Sequence, residues 1–151
     1  MESHFMKIKT MKNLKSILMA VAILALASSY ALAGGVKVIA NSSVKADSVS
    51  ADELKSVFLE ETSSLRDGSH VEPVLAKGGA AHEAFVKDYL GKSDAALQTY
   101  YRSLVFTGKG SMPKTVGGDA EIAAYVAKTK GAIGYVSAGA SAEGTKVLEV
   151  K

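Results

Sequence analysis

A helix, a glycine and a short apolar strand follow one another between residues 119 and 136, and this unit constrains the chain more than any other stretch. Ile122, Ala123, Val126 and Ala127 recur at helical spacing, which predicts an amphipathic helix over residues 121–128. Gly118-Asp119 supplies the start. Gly131 supplies a stop where a positive φ is needed. Ala132-Ile133-Gly134-Tyr135-Val136 then reads as a buried strand, in which Gly134 lets a neighbour come close. Helix, glycine and strand make half of an α/β unit.

The preceding chain repeats the alternation. Val36-Lys37-Val38-Ile39-Ala40 is a β-branched run ending at Asn41-Ser42-Ser43, a first strand. Ser50 and Glu53 have the spacing of a capping box, with Leu54, Val57 and Phe58 as the inward stripe of a short helix. The Asp67-Gly68 turn leads to a second strand over residues 71–76. Pro73 lacks an amide donor, so this strand either lies at an edge or starts irregularly. Gly78-Gly79 ends it, and residues 80–90 read as a helix with Phe85, Tyr89 and Leu90 inward. Leu97, Tyr100, Tyr101, Leu104 and Val105 give the next helix the clearest amphipathic pattern. Residues 107–118 read as a Gly-, Lys- and Pro-containing loop long enough to be functional, and residues 146–151 as a last strand. The expected fold is a three-layer α/β domain on a mostly parallel or mixed sheet.

Residues 1–33 read as a secretory signal peptide. Lys7, Lys9, Lys12 and Lys15 precede an apolar run over residues 17–27, too short to span a bilayer. Ala31-Leu32-Ala33 is an A-x-A cleavage pattern, which puts the mature start at Gly34 and the protein in the periplasm or outside the cell. The leader also accounts for the net charge of +3. Of 18 basic and 15 acidic residues, four Lys and one Glu lie in residues 1–33, which leaves 14 of each. No basic excess remains for nucleic acid. Residues 34–151 suit a single domain.

Catalytic chemistry finds little footing. The chain has no cysteine, so thiolate nucleophiles and thiolate metal sites are excluded. His70 and His82 have no second ligand at helical or ribbon spacing, and no metal site is expected. Gly108-Lys109-Gly110-Ser111 lacks the outlying glycine and the Lys-Ser/Thr pair of a P-loop. There is no G-x-S-x-G. The chain reads as a non-enzyme that needs no cofactor.

Anion binding has a physical basis. The helix after Gly78-Gly79 opens with free N–H groups and a positive dipole end, which can hold an oxyanion without a charged side chain. Thr107, Lys109 and Ser111, with two glycines between them, could form a backbone nest.

Three segments together resemble one family. They are ADELKSVFLEETSSLRDGSHVEPVLAKGGAAHEAFVKDYL, LVFTGKGSMPKTVGGDAEIAAYV and KGAIGYVS. Their order and spacing are similar to those of small phosphate-type periplasmic substrate-binding proteins of the type II superfamily, over residues 36–137. The resemblance implies a shortened version of that fold and an exported module that binds phosphate or a similar oxyanion for uptake or sensing. It implies an ABC permease or a membrane-bound sensor as partner. It also implies ligand contacts at Asn41, Ser42 and Ser43 after the first strand, and at Gly79, Ala80, Ala81 and His82. The family loop at the latter place reads Ser-Gly-Thr-Thr, so this chain keeps the amides and lacks the hydroxyls. The alternative is a structural or partner-binding domain on the same fold. The oxyanion reading expects strands 36–40 and 71–76 to be parallel neighbours, so that the three loops meet at one sheet edge.

Overall fold

The computed structural model describes residues 35–151, and the expected leader with its cleavage site lies outside them. The first strand, β1 (Val36–Ala40), is followed by a two-residue strand, β2 (Ser48–Val49). Helix α1 (Ala51–Phe58) starts on the expected capping box. Ser50 accepts from the Glu53 amide, and Glu53 reaches back to the Ser50 amide. β3 (Glu72–Ala76) leads into α2 (Ala80–Phe85), which runs directly into a π-helical turn over Val86–Leu90. Helix α3 (Asp94–Phe106), strand β4 (Lys114–Val116), helix α4 (Asp119–Lys128), β5 (Ala132–Ser137) and β6 (Lys146–Val150) complete the domain.

The six strands form one mixed sheet in the order β2-β6-β1-β5-β3-β4. β4, β3 and β5 run parallel. β1 is antiparallel to both its neighbours, β5 and β6. The expected pairing of strands 36–40 and 71–76 is therefore corrected: β5 lies between them, and they run in opposite directions. The reason is long-range. β1 and β5 share a five-residue register from Val36↔Ser137 to Ala40↔Ile133, and no local pattern records such a pairing. Pro73 fits an interior strand because that strand starts irregularly. Glu72 donates to Gly131 on the β5 side, so Pro73 turns its nitrogen toward the β4 side. β4 begins pairing only at Val74.

Alternation along β5 sets the layers. Gly134 faces α4: a Cβ there would lie 2.8 Å from Ile122 Cγ2 and 3.4 Å from Val126 Cγ2. Tyr135 faces the other way, where its ring stacks on Phe85 at 4.0 Å with Phe58 beyond, 4.8 Å from Phe85. One helix thus covers one face, and α1 and α2 cover the other. Two short strands went unread in the sequence. β2 has two residues, and β4 sits inside the stretch expected to be loop. No described helix is long and apolar enough to cross a membrane.

Candidate functional site

The sheet has two ends, and the expected site residues divide between them. The carboxyl ends of the parallel strands β4, β3 and β5 lie at one edge, beside the start of β1. The amino ends of the same three strands lie at the other, with the end of β1. Five residues of strand separate the edges, about 16 Å. Gly79, Ala80, Ala81 and His82 follow β3 and belong to the carboxyl edge. Asn41, Ser42 and Ser43 follow β1, and Thr107, Lys109 and Ser111 precede β4, so both of these loops belong to the amino edge. The expected meeting of all three loops is corrected by this topology. Even the two loops that share an edge are three strand positions apart, about 14 Å.

α2 and α4, which follow the parallel strands β3 and β4, begin at the carboxyl edge, where ligands of open α/β sheets bind; α1, after β2, starts at the same edge on its capping box. Neither α2 nor α4 has a side-chain cap, but α4 carries two carboxylates, Asp119 and Glu121, in its first turn. Glu121 Oε2 accepts from the Gly117 amide at 2.7 Å, and Asp119 Oδ2 accepts from the Ser137 amide at 3.2 Å. α2 begins at Gly79, φ 101°, with no side-chain cap. Lys77, Gly78, Gly79 and Ala80 are all exposed, and a Cβ built on either glycine meets nothing within 4 Å. Gly79 is left-handed enough that only glycine takes it without strain. The α2 start, beside Lys77 and with Glu83 as the acid of its first turn, is less negative than the α4 start, which carries Asp119 and Glu121.

His82 stands behind that start. The sequence places it near a helix start as a possible partial charge for a ligand, but it is 1% exposed and both ring nitrogens are engaged. Nδ1 pairs with the Tyr135 hydroxyl, and Nε2 lies 2.8 Å from Asp94 Oδ1. The Tyr135 hydroxyl in turn accepts from the Ala76 amide at 3.0 Å. Burial is the largest of the effects that hold the Tyr135 phenol well above its ordinary range, so it remains a donor. Sequence reasoning missed that Tyr135 and Asp94 are the partners of His82. A lone tyrosine in an otherwise aliphatic strand was the available signal.

At the amino edge the expected residues do structural work. Asn41 is 7% exposed. It donates to the carbonyls of Val126 at 2.8 Å and Ala127 at 3.1 Å, in the last turn of α4, and it accepts from the Ser43 amide at 2.9 Å. Ser43 Oγ accepts from Gly131, whose φ is 79°. Ser42 is exposed. The expected nest at residues 107–111 is also corrected. The amides of Thr107, Gly108 and Lys109 donate to the carbonyls of Ser103, Val105 and Leu104, closing the end of α3, so they are not free for an anion. Thr107 Oγ1 donates to Ser103 as well, at 2.8 Å. Ser111 lines a cavity of about 350 Å³ with Glu60, His70, Glu72, Lys114 and Tyr125, whose acids make it a poor anion site.

The chain matches no family model and no curated protein. Its fold is shared with solved phosphate-transport proteins. An ABC-type phosphate transport receptor from Vibrio cholerae aligns with a TM-score of 0.58 at 10% identity, over 78% of this chain and 46% of that one. A phosphate-bound structure from Clostridium perfringens, described as a phosphate ABC transporter substrate-binding protein, aligns with a TM-score of 0.59 at 15% identity, over 78% and 45%. PstS from Borrelia burgdorferi aligns with a TM-score of 0.57 at 13% identity, over 78% and 47%. The chain spans less than half the length of each.

Proposed function

We propose that this protein is an exported solute-binding module that holds phosphate or a similar oxyanion at the carboxyl edge of its sheet. The observation that supports it most is the exposed, uncapped start of α2 at Gly79 beside Lys77, where the neighbouring α4 start carries two carboxylates in its first turn. Gly78, Gly79 and Ala80 supply amides, the helix supplies the positive end of its dipole, and Lys77 supplies a full charge. The fold shared with phosphate-transport proteins supports the same ligand class. On this reading an ABC permease or a membrane-bound sensor receives the loaded module. Ala80 and Ala81 provide no hydroxyls. Each missing hydrogen bond to a charged ligand is worth about 1.5–3 kcal/mol, so two of them weaken binding by roughly two to four orders of magnitude.

Calorimetry of the protein against phosphate, sulfate and molybdate tests the reading. Phosphate should bind in the micromolar range or more weakly, and the double variant Ala80→Thr/Ala81→Thr should bind it more tightly. Absence of heat in both proteins sinks the proposal. A second reading, a partner-binding domain on the same fold, is favoured by one feature. At the end of α3, Phe106 is 93% exposed, with Val105 at 51% and Met112 at 45% nearby in sequence. Apolar side chains this exposed are a common mark of contact surfaces. Phe106→Asp should leave phosphate heats unchanged on the first reading. On the second, it abolishes association with the partner while phosphate is inert throughout.

A further inference from the structure

We infer that His82 is the positioning residue of the α2 start, held as the neutral imidazole with its proton on Nε2. The functional half of this inference rests on the oxyanion reading above; the structural half does not. The geometry has one centre, the Tyr135 hydroxyl oxygen. The Ala76 amide donates to it from the end of β3, and His82 Nδ1 pairs with it from the third residue of α2. Both ends of segment 76–82 are therefore tied to a single oxygen, and the exposed Lys77-Gly78-Gly79 turn is the bridge between them. Gly78 and Gly79 have no side chains to hold that turn, and α2 has no capping side chain. The hydrogen bonds beneath the turn hold its two ends in register.

Donor and acceptor count fixes the proton. The Ala76 amide occupies one lone pair of the Tyr135 oxygen. The phenol hydrogen then goes to Nδ1, which must be unprotonated to accept it. Nε2 carries the ring proton and donates it to Asp94, the first residue of α3. A second proton on the ring would sit on Nδ1 and face the phenol oxygen, and the phenol hydrogen would lose its acceptor. Protonation of His82 therefore loosens the turn. Asp94 from α3 and Tyr135 from β5 face the ring. On the same helix, Glu83 and Lys87 are exposed.

The test is nuclear magnetic resonance of the full chain labelled with ¹⁵N. At neutral pH the His82 ring should show an unprotonated Nδ1 and a protonated Nε2. Tyr135→Phe should shift the ring from that tautomer and speed hydrogen exchange at the Ala76 amide, with near-ultraviolet dichroism reporting that the fold persists. Asp94→Asn still offers an oxygen to Nε2 and should keep the tautomer and the slow exchange. Phosphate affinity should fall about tenfold in Tyr135→Phe, the scale of one lost hydrogen bond, and stay within about twofold in Asp94→Asn. A proton on Nδ1 at neutral pH overturns the inference. So does an Ala76 exchange rate that Tyr135→Phe leaves unchanged. If the tautomer and exchange behave as stated while the unaltered protein gives no phosphate heat, the positioning role stands and the oxyanion reading falls alone.

Discussion

Gly134 shows how a single missing side chain can fix the distance between layers. Its strand is read directly from the apolar run around it, and a glycine there signals close approach. The structure identifies the neighbour as the Ile122 methyl on α4, 2.8 Å from where a Cβ would stand. Gly134→Val should cost about 1–3 kcal/mol through overpacking, read as a lower urea midpoint with unchanged slope. Glu60 makes a second prediction at this scale. It holds φ at 60°, alone among the described non-glycine residues in that region. Burial, then Glu72, raises its carboxyl above the usual 4.5. The folded state thus keeps its proton to higher pH than the unfolded chain does. Stability from this group is present below the ordinary value and is lost as pH rises through the raised one. Glu60→Gln should flatten that fall in a stability profile taken from pH 4 upward. Asn41 marks the limit of sequence reading at this scale. An asparagine after a strand looks like a turn or a ligand contact, and its actual partners, Val126 and Ala127, come 85 and 86 positions later.

Among the elements, helices were legible and their company was not. The α1 capping box, the α4 periodicity and the β5 run are local signals, and the structure places each where the pattern did. Helix α3 carried the strongest amphipathic pattern, yet only Leu97 and Tyr101 are fully buried, and Val105 and Phe106 in its last turn are exposed. The candidate site was half legible. Gly78-Gly79 before a helix predicts free amides, and the structure leaves them uncapped. What sequence could not show is that α4 starts beside it with Asp119 and Glu121 turned onto backbone amides. Those two charges repel an incoming anion. Asp119→Asn with Glu121→Gln keeps an oxygen for each amide and removes both charges. Phosphate affinity should rise about three- to tenfold at low salt, and the gain should shrink as ionic strength increases. An unchanged affinity at low salt would place the ligand elsewhere.

At the level of the whole molecule, the sheet order was the least legible property. Pattern predicts which residues form strands, and pairing depends on contacts between segments a hundred positions apart. β1 has β5 on one side and β6 on the other, so the first strand of the domain takes both its partners from the final stretch of chain. The Ala51 amide at the start of α1 likewise donates to the Lys151 carbonyl. During synthesis, β1 therefore waits with both of its hydrogen-bonding rims empty until residues 132–150 emerge. Pairings this remote make folding slow. On the proposed reading of an exported module, the chain gains from that delay, since an exported chain must stay unfolded until it has been threaded across a membrane. The same delay is a hazard once the last strand is lost. Removing residues 146–151 would leave β1 a bare apolar edge able to recruit strands from other molecules. Such a truncated protein should appear in the insoluble fraction, and recovery as a folded monomer would show that β6 is dispensable.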